Sequence, residues 1–526
     1  MTSEAEAHLV EVPRRASIAM AEDVARQLEQ HLLRPDGQED LIFARYRRSS
    51  GRSRDSYILT DLVEPEPGDR AVHGNASFSG DYFLRAAGLA AEQSQGVALL
   101  HSHPGGSGWQ GLSHDDDDAE RGHAVQASIL TGLPLVGLTL AGRDKTFSAR
   151  AWPVVAGEPP RLDGAESVRV VGSRIVVHHN PKLRPEPRPT VRTERTVSAW
   201  GTAAQGNLVR LRVAIVGAGS VGAVVGEILA RTGFRDVVVI DFDNVEERNL
   251  DRLLPATMAD AVSKRSKAEL LAVTMAAHAA DPDAAFTYSR QSIVEPAGWA
   301  EAMDCDVIFS CVDRPWPRHV LNLAAYTALI PVVDGGIAVD VCDGRLLGAE
   351  WRSHIAAPGR RCLSCIGQFD PADVAVEQAG LLDDPTYIEG LPADHHLRRG
   401  ENVMAFSAAC GSHEVLDLLR AVLGPNKQYD IGATLHHWTI DDNDHDTDGC
   451  REDCLYDAEV YRSSSSVPTL SDAGHARARR VREQSGTRPM RGTINATATP
   501  PVEVGPPTVT ALIRRRVAAW IGGQSG

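Results

Sequence analysis

The sequence predicts an α/β protein whose second half folds as a doubly wound parallel sheet. Two apolar, β-branched runs, Val213–Val216 and Val237–Ile240, flank a glycine turn and a helix-like stretch. Strand, glycine turn, helix and strand within about 30 residues is the nucleotide-binding βαβ pattern. A further apolar strand, Asp306–Ser310, runs into Cys311-Val312-Asp313. An acid at the carboxyl end of a parallel strand sits where such sheets bind ligands. The first half mixes short strands with helices around a His101-Ser102-His103-Pro104 motif.

The whole chain sets bounds on function. Its 526 residues leave room for two to four domains, and 43% hydrophobic with 24% charged residues is ordinary for a folded globular chain. A net charge of −16 argues against a nucleic-acid partner, which needs a basic face. No apolar run reaches the roughly 18 residues of a membrane span, and the N-terminus MTSEAEAHLVEVPRR lacks an apolar signal core. A cytoplasmic protein with no membrane partner is therefore expected. Its eight cysteines are then read as metal ligands before disulfides.

In chain order, strands are expected at Ala16–Met20, Asp40–Tyr46 and Ser56–Leu62. Helices are expected at Glu22–Leu33 and Phe83–Gln93, and a buried strand at Gly96–Leu100. Further strands are read at Gln126–Leu130, Leu135–Leu140 and Val168–Val171. His101 and His103 leave their strand at i and i+2, so both point the same way and both can ligate one Zn²⁺. Asp116 offers a third, carboxylate ligand, which leaves the fourth position open, as in catalytic zinc sites.

This HxHP-x8-SxxD pattern resembles the JAMM (JAB/MPN) metalloproteases, which cleave isopeptide or peptide bonds after ubiquitin-like tails. The resemblance implies a JAB/MPN-like α/β domain over residues 1–176. It implies His101, His103 and Asp116 as zinc ligands and Ser113 as an oxyanion stabiliser. It also implies a glutamate at an early strand as the base for the attacking water. Glu39 sits where that glutamate belongs, with Glu64 and Glu66 as weaker candidates. The interval between His103 and Ser113 is longer than the family's, which leaves Asp115, Asp117 and Asp118 open as alternative ligands.

Residues 177–194 are proline-rich and polar and read as a linker. Beyond them, Gly217 permits the tight turn, Gly219 lets backbone approach phosphates, and Gly222 lets helix and strand pack closely. Asp241, ending the second strand, suits a ribose hydroxyl. Alone, these features fit an NAD(P)-dependent oxidoreductase equally well. Asp243, Asn249 and Arg252, in DFDNVEERNLDR, add groups that a triphosphate needs and a dinucleotide does not.

The block resembles the adenylation domain of the ubiquitin-activating superfamily, which includes the ThiF/MoeB-type sulfur-carrier adenylyltransferases. The resemblance implies a Rossmann-like adenylation domain with a structural zinc site over residues 195–462. It aligns Arg195, Gly201 and Gln205 with an N-terminal helix whose arginine crosses a homodimer to the partner's ATP. It also gives Lys267 as the phosphate-contacting lysine, with Lys264 a close competitor, and Asp313 as the Mg²⁺-associated aspartate. Cys362-x2-Cys365 and Cys450-x3-Cys454 give four thiolates for a structural, tetrahedral zinc. Asp370–Arg399 is the region expected to cross the carrier's tail. Cys410 reads as a small buried cysteine rather than a thioester former. Residues 463–526 read as a disordered tail with one short helix at Val509–Ile521.

Together these resemblances imply ATP-dependent adenylation of the C-terminal glycine of a ubiquitin-like or sulfur-carrier protein, fused to a zinc metalloprotease that trims or removes such carriers. ATP, Mg²⁺ and two Zn²⁺, one catalytic and one structural, are the implied cofactors, and a conjugating enzyme is a further implied partner. The alternatives are an NAD(P)-dependent oxidoreductase and a non-enzymatic scaffold for ubiquitin-like partners.

Overall fold

In the first half, a sheet closes on itself. It is formed by β1 (Arg15–Ala21), β2 (Leu41–Ser50), β3 (Arg54–Val63), β6 (Gly96–His103), β7 (Leu135–Ala141), β8 (Phe147–Trp152), β9 (Asp163–Val171) and β10 (Ile175–His179), while β4 (Arg70–His73) and β5 (Asn75–Phe78) make a separate hairpin. The sheet order is β1-β3-β2-β6-β7-β8-β9-β10, and β1 also pairs in parallel with β9, which brings the two ends together. Helix α1 (Glu22–Leu32) buries Val24, Ala25, Leu28 and Leu32, a stripe at helical spacing, against this sheet. Helices α2 (Gly80–Glu92) and α3 (His114–Thr131) cover its other side. This computed structural model describes residues 14–73, 75–392, 395, 397, 400–424, 432–456, 470, 474–484, 486 and 488–496.

The second half begins with α4 (Glu194–Trp200) and α5 (Thr202–Val209). It continues through β11 (Arg212–Val216), α6 (Ser220–Thr232), β12 (Asp236–Ile240), α7 (Met258–Val262), α8 (Lys267–His278), β13 (Ala285–Ser289), α9 (Pro296–Met303), β14 (Val307–Ser310) and α10 (Pro315–Thr327). Then come β15 (Val332–Cys342), β16 (Arg345–Ala356), α11 (Pro371–Gln378), α12 (Pro385–Gly390), α13 (Met404–Leu423), β17 (Ala433–His437) and β18 (Asp442–Asp446), with α14 (Ala476–Gln484) and β19 (Arg491–Asn495) last. Five strands run parallel in the order β13-β12-β11-β14-β15, and β16, β17 and β18 extend that sheet antiparallel. The order reverses between β11 and β14, so the crevice at their carboxyl ends is the switch point of a doubly wound sheet.

Three expectations are corrected. Gln126–Leu130 is not a strand but part of α3. There a reciprocal cap between Ser113 and Asp116 starts the helix, and Gly132, at φ 72°, ends it. The connection after residue 177 is not loose: His178 and His179 belong to β10, and Arg184 donates to Asp236 and to the Arg210 carbonyl. The tail is not disordered throughout. Residues 476–484 form α14, and β19 adds antiparallel to the free edge of β13, from Ala285↔Asn495 to Ser289↔Arg491. Val509–Ile521 lies outside the described residues.

A buried ionic seam joins the two halves. Asp306, at the start of β14, accepts Arg54 Nη1 at 2.5 Å, Arg169 Nη1 at 3.0 Å and the Arg212 backbone N–H at 2.9 Å. Arg212 also donates to Glu166 at 2.5 Å, and Asp304 accepts from the backbone N–H groups of Ser53 and Arg54. Apolar side chains of both halves form one continuous core.

Candidate functional sites

At the switch point lies a cavity of about 1240 Å³. That exceeds the roughly 300–1,000 Å³ of an ordinary small-molecule pocket, leaving room for a nucleotide beside a second, elongated group. Gly217, Gly219, Asp241, Asp243, Asn249, Arg252, Lys267 and Asp313 all line it. Gly217 takes φ +98°, and a Cβ there would fall 2.4 Å from the Cys311 carbonyl. A Cβ on Gly222 would meet the Gly217 carbonyl at 2.0 Å, so Gly222 serves the packing of α6 rather than the cavity wall. A Cβ on Gly219 would meet nothing, which leaves the turn open to a ligand.

Charges converge on the cavity floor. Asp241 accepts the backbone N–H of Ala218 at 2.6 Å and of Asp243 at 2.7 Å, which ties the end of β12 to the glycine turn. Burial and the neighbouring Asp243 charge push the Asp241 carboxyl up to about 6. Lys267 Nζ lies 3.2 Å from Asp243. Burial alone would lower the Lys267 ammonium, but Asp243 and Asp241 outweigh it and raise it. Lys264 does not line the cavity; its carbonyl accepts Arg488 at 2.8 Å. Asn249 Oδ1 accepts the Glu246 N–H at 3.0 Å, and Arg252 donates to the Arg248 carbonyl at 2.9 Å. Arg195 stands exposed on α4 and lines no part of the cavity.

Other charged residues also line the wall. Arg314 pairs with Asp383 at 2.9 Å, and Arg318 donates to the Gly335 carbonyl at 2.9 Å and to Asp334 at 3.3 Å. His475 and Arg477, from the supposed tail, also line the cavity. Cys410 is fully buried on α13, its thiol 3.6 Å from Glu414, and burial pushes that thiol well above its ordinary value. A buried, protonated thiol is a poor nucleophile.

Cys362, Cys365, Cys450 and Cys454 come together, all four sulfurs within 4.8 Å of one another. Cys362 and Cys454 sulfurs are 3.5 Å apart, close to the roughly 3.8 Å that tetrahedral Zn–S bonds of about 2.3 Å give. Backbone N–H groups point at the sulfurs, from Cys362 to Cys450 at 3.1 Å, from Cys365 to Cys362 at 3.4 Å and from Tyr456 to Cys454 at 3.3 Å. Such amides orient and stabilise thiolates around a metal. The donor set fits structural zinc.

In the first half, His101, His103 and Asp116 also converge within 4.8 Å. Asp116 lies 3.5 Å from His101 Nε2 and 3.4 Å from His103 Nε2. Of the aspartate run it is Asp116 that turns inward; Asp117 pairs with Arg121 at 2.7 Å and Asp118 lies 3.6 Å from His114. Burial would raise the Asp116 carboxyl, but His101 and His103 hold it well below the carboxylate range. Ser113 Oγ accepts the Asp116 N–H at 3.2 Å, so that hydroxyl also caps α3. Thr139 lies 3.2 Å from His101 Nε2 and accepts Arg150, which is held in turn by Glu120. In the β2–β6 ladder Leu41 faces His101, and Ser102 N–H donates to the Asp40 carbonyl at 3.0 Å. Continuing that register sets Glu39 opposite His103. Glu64 and Glu66 are instead more than two-thirds exposed.

A glycine turn at the switch point of a doubly wound sheet, with carboxylates and cations around one cavity and a four-cysteine cluster beside it, defines a nucleotide-binding α/β domain. Residues 192–450 of this chain match the ThiF family. Its curated relatives include ubiquitin-like modifier-activating enzyme 5 of Dictyostelium discoideum, 24% identical over 173 residues, which are 30% of this chain and 42% of that protein. The same enzyme of Branchiostoma floridae is 27% identical over 30% of this chain and 40% of its own length. Molybdopterin-synthase adenylyltransferase of Salmonella typhimurium is 28% identical over 32% of this chain and 65% of its own length. The chain thus spans less than half the length of the modifier-activating enzymes it matches. Among solved structures, Escherichia coli MccB with ATP is 16% identical with a TM-score of 0.38, covering 51% of this chain and 75% of that one. Among the described residues, no helix is long and apolar enough to cross a membrane.

Proposed function

We propose that residues 195–462 use ATP to adenylate the C-terminal glycine of a ubiquitin-like or sulfur-carrier protein. The observation that carries this reading is the single cavity that gathers the glycine turn, Asp241, Asp243, Asn249, Arg252, Lys267 and Asp313. One carboxylate oxygen of the tail attacks the α-phosphorus, forming an acyl–phosphate bond, and the bond to the bridging oxygen breaks to release pyrophosphate. Lys267 and Arg252 offset the charge that develops on the phosphates. Asp241 holds the ribose end, and the amides after Gly219 face the phosphates. Asp313 and Asp243 would hold Mg²⁺, which shields phosphate charge. Relatives named as ubiquitin-like modifier-activating enzymes and as a molybdopterin-synthase adenylyltransferase support a protein as second substrate. A homodimer, a conjugating enzyme downstream and a cytoplasmic setting belong to the same reading.

The full chain should catalyse ATP–pyrophosphate exchange in the presence of a matching diglycine-ended carrier. Tight NADH binding together with no exchange across a carrier panel would sink the proposal in favour of an oxidoreductase.

The first half is proposed to be a metalloprotease acting on such carriers. His101, His103 and Asp116 would hold a zinc ion, which supplies Lewis-acid chemistry at the scissile carbonyl. Glu39 would take the proton from the attacking water and Ser113 would stabilise the oxyanion. Metal analysis should find two zinc ions per chain and one in His103→Ala, matching the two ligand clusters. Equal content in both proteins would refute metal binding at this centre.

A further inference from the structure

The segment after residue 473 is fastened to the nucleotide domain at five places. Strand β19 adds five residues to the β13 edge. Arg482 forks onto Glu295 at 2.8 and 2.9 Å, and Arg491 donates to Glu301 at 2.8 Å. Arg488 donates to the carbonyls of Lys264 and Ser263. His475, buried, lies 3.0 Å from Ser292 Oγ and sets its ring edge-on to Phe242 and Trp316, with centroids 5.2 and 5.6 Å away. These contacts fix the first turn of α14 at the cavity rim.

That turn brings Arg477 into the cavity wall. Its Nη2 lies 3.1 and 3.3 Å from the two Asp243 oxygens, and its guanidinium sits 5.3 Å from the Phe242 ring centroid. Burial would lower this guanidinium, but Asp243, Asp313 and Asp241 outweigh it and raise it. Arg477 therefore shares one carboxylate with Lys267 at the floor where the phosphates are expected. Arg318, by contrast, is committed to Asp334 and to the carbonyls of Gly335 and Gln368. An arginine whose stem and helix are locked, and whose head faces a cavity lined by Gly219 and Lys267, is preorganised for a phosphate fork.

We propose that the start of α14, held in place by β19, is an integral wall of the nucleotide site and that Arg477 is a phosphate-binding residue supplied by it. This rests on the reading of the cavity as an ATP site. When phosphates enter, the guanidinium exchanges part of its contact with Asp243 for phosphate oxygens.

The test is calorimetric titration of the full chain with ATP and, separately, with adenosine. Arg477→Ala should weaken ATP binding about 10- to 100-fold and leave adenosine binding unchanged. Arg477→Lys should restore part of the loss. Arg482→Ala, which unfastens α14 from Glu295 without touching the cavity, should weaken ATP in the same direction. Circular dichroism and thermal melts identify any variant that fails to fold, and Arg477→Lys then carries the comparison. Unchanged or tighter ATP binding by Arg477→Ala, or an equal loss of ATP and adenosine, overturns the proposal while leaving the ATP reading intact. A wild-type chain that binds adenosine but not ATP, or neither, overturns both.

Discussion

Replacing Asp306 by alanine is expected to destabilise the protein by about 3–5 kcal/mol, the cost of leaving buried charges without their partner. Arg54 and Arg169 would each lose a carboxylate oxygen at 2.5 and 3.0 Å, and both side chains are almost wholly buried. Because Arg54 and Arg169 come from the first half and Asp306 from the second, the loss falls on the junction. Urea unfolding followed by fluorescence should show an earlier midpoint. A midpoint within error of the wild type would show that the seam carries no net stability.

The same carboxylate gives a pH dependence. Burial would raise the Asp306 pKa, but Arg54, Arg169 and Arg184 outweigh it and hold the folded-state value well below the ordinary 3.8. A group with a depressed folded pKa contributes its stability above the unfolded value and loses it as pH falls. The difference in stability between wild type and Asp306→Ala should therefore be full at neutral pH and shrink as the pH drops below about 4.

The second large effect is expected at Lys267. Lys267→Ala should lower ATP–pyrophosphate exchange by about 100- to 1000-fold, the range seen when one preorganised stabiliser of developing charge is removed. Its ammonium is held among Asp243, Asp241 and Asp313. Lys264→Ala should leave exchange near the wild-type rate, because that side chain lies outside the cavity lining. Equal losses in the two variants would place the phosphates elsewhere.

Much of the nucleotide domain was legible because its signals are local. Val213–Val216, the glycines and Asp241 lie within one βαβ unit, where hydrophobic period and turn chemistry decide structure together. The cysteine pairs were legible by ligand type alone, although 85 or more residues separate them. Other features were set by distant contacts. Gln126–Leu130 alternates like a strand but follows Ser113 and Asp116, whose reciprocal cap commits the backbone to a helix. The basic tail has few apolar residues, so it reads as unstructured. What orders it is the vacant edge of β13, together with Glu295 and Glu301, none of which is visible from residues 474–496 themselves. Arg477 was missed for that reason. Arg195 aligns with the family by resemblance, and within one chain it is exposed and does not line the cavity.

The pairing of β19 with β13 has a consequence for biosynthesis. About 200 residues separate Ser289 from Arg491, which pair in the sheet. At translation rates of about 5–20 residues per second, β13 waits on the order of 10–40 s before its neighbour is made. Through that interval the nascent chain presents an unpaired strand edge, the kind of surface that recruits other chains. A ribosome that stalls or terminates before residue 491 would therefore release a product with an adhesive flank. In such a product the early strands could all be in place while the sheet remained unfinished.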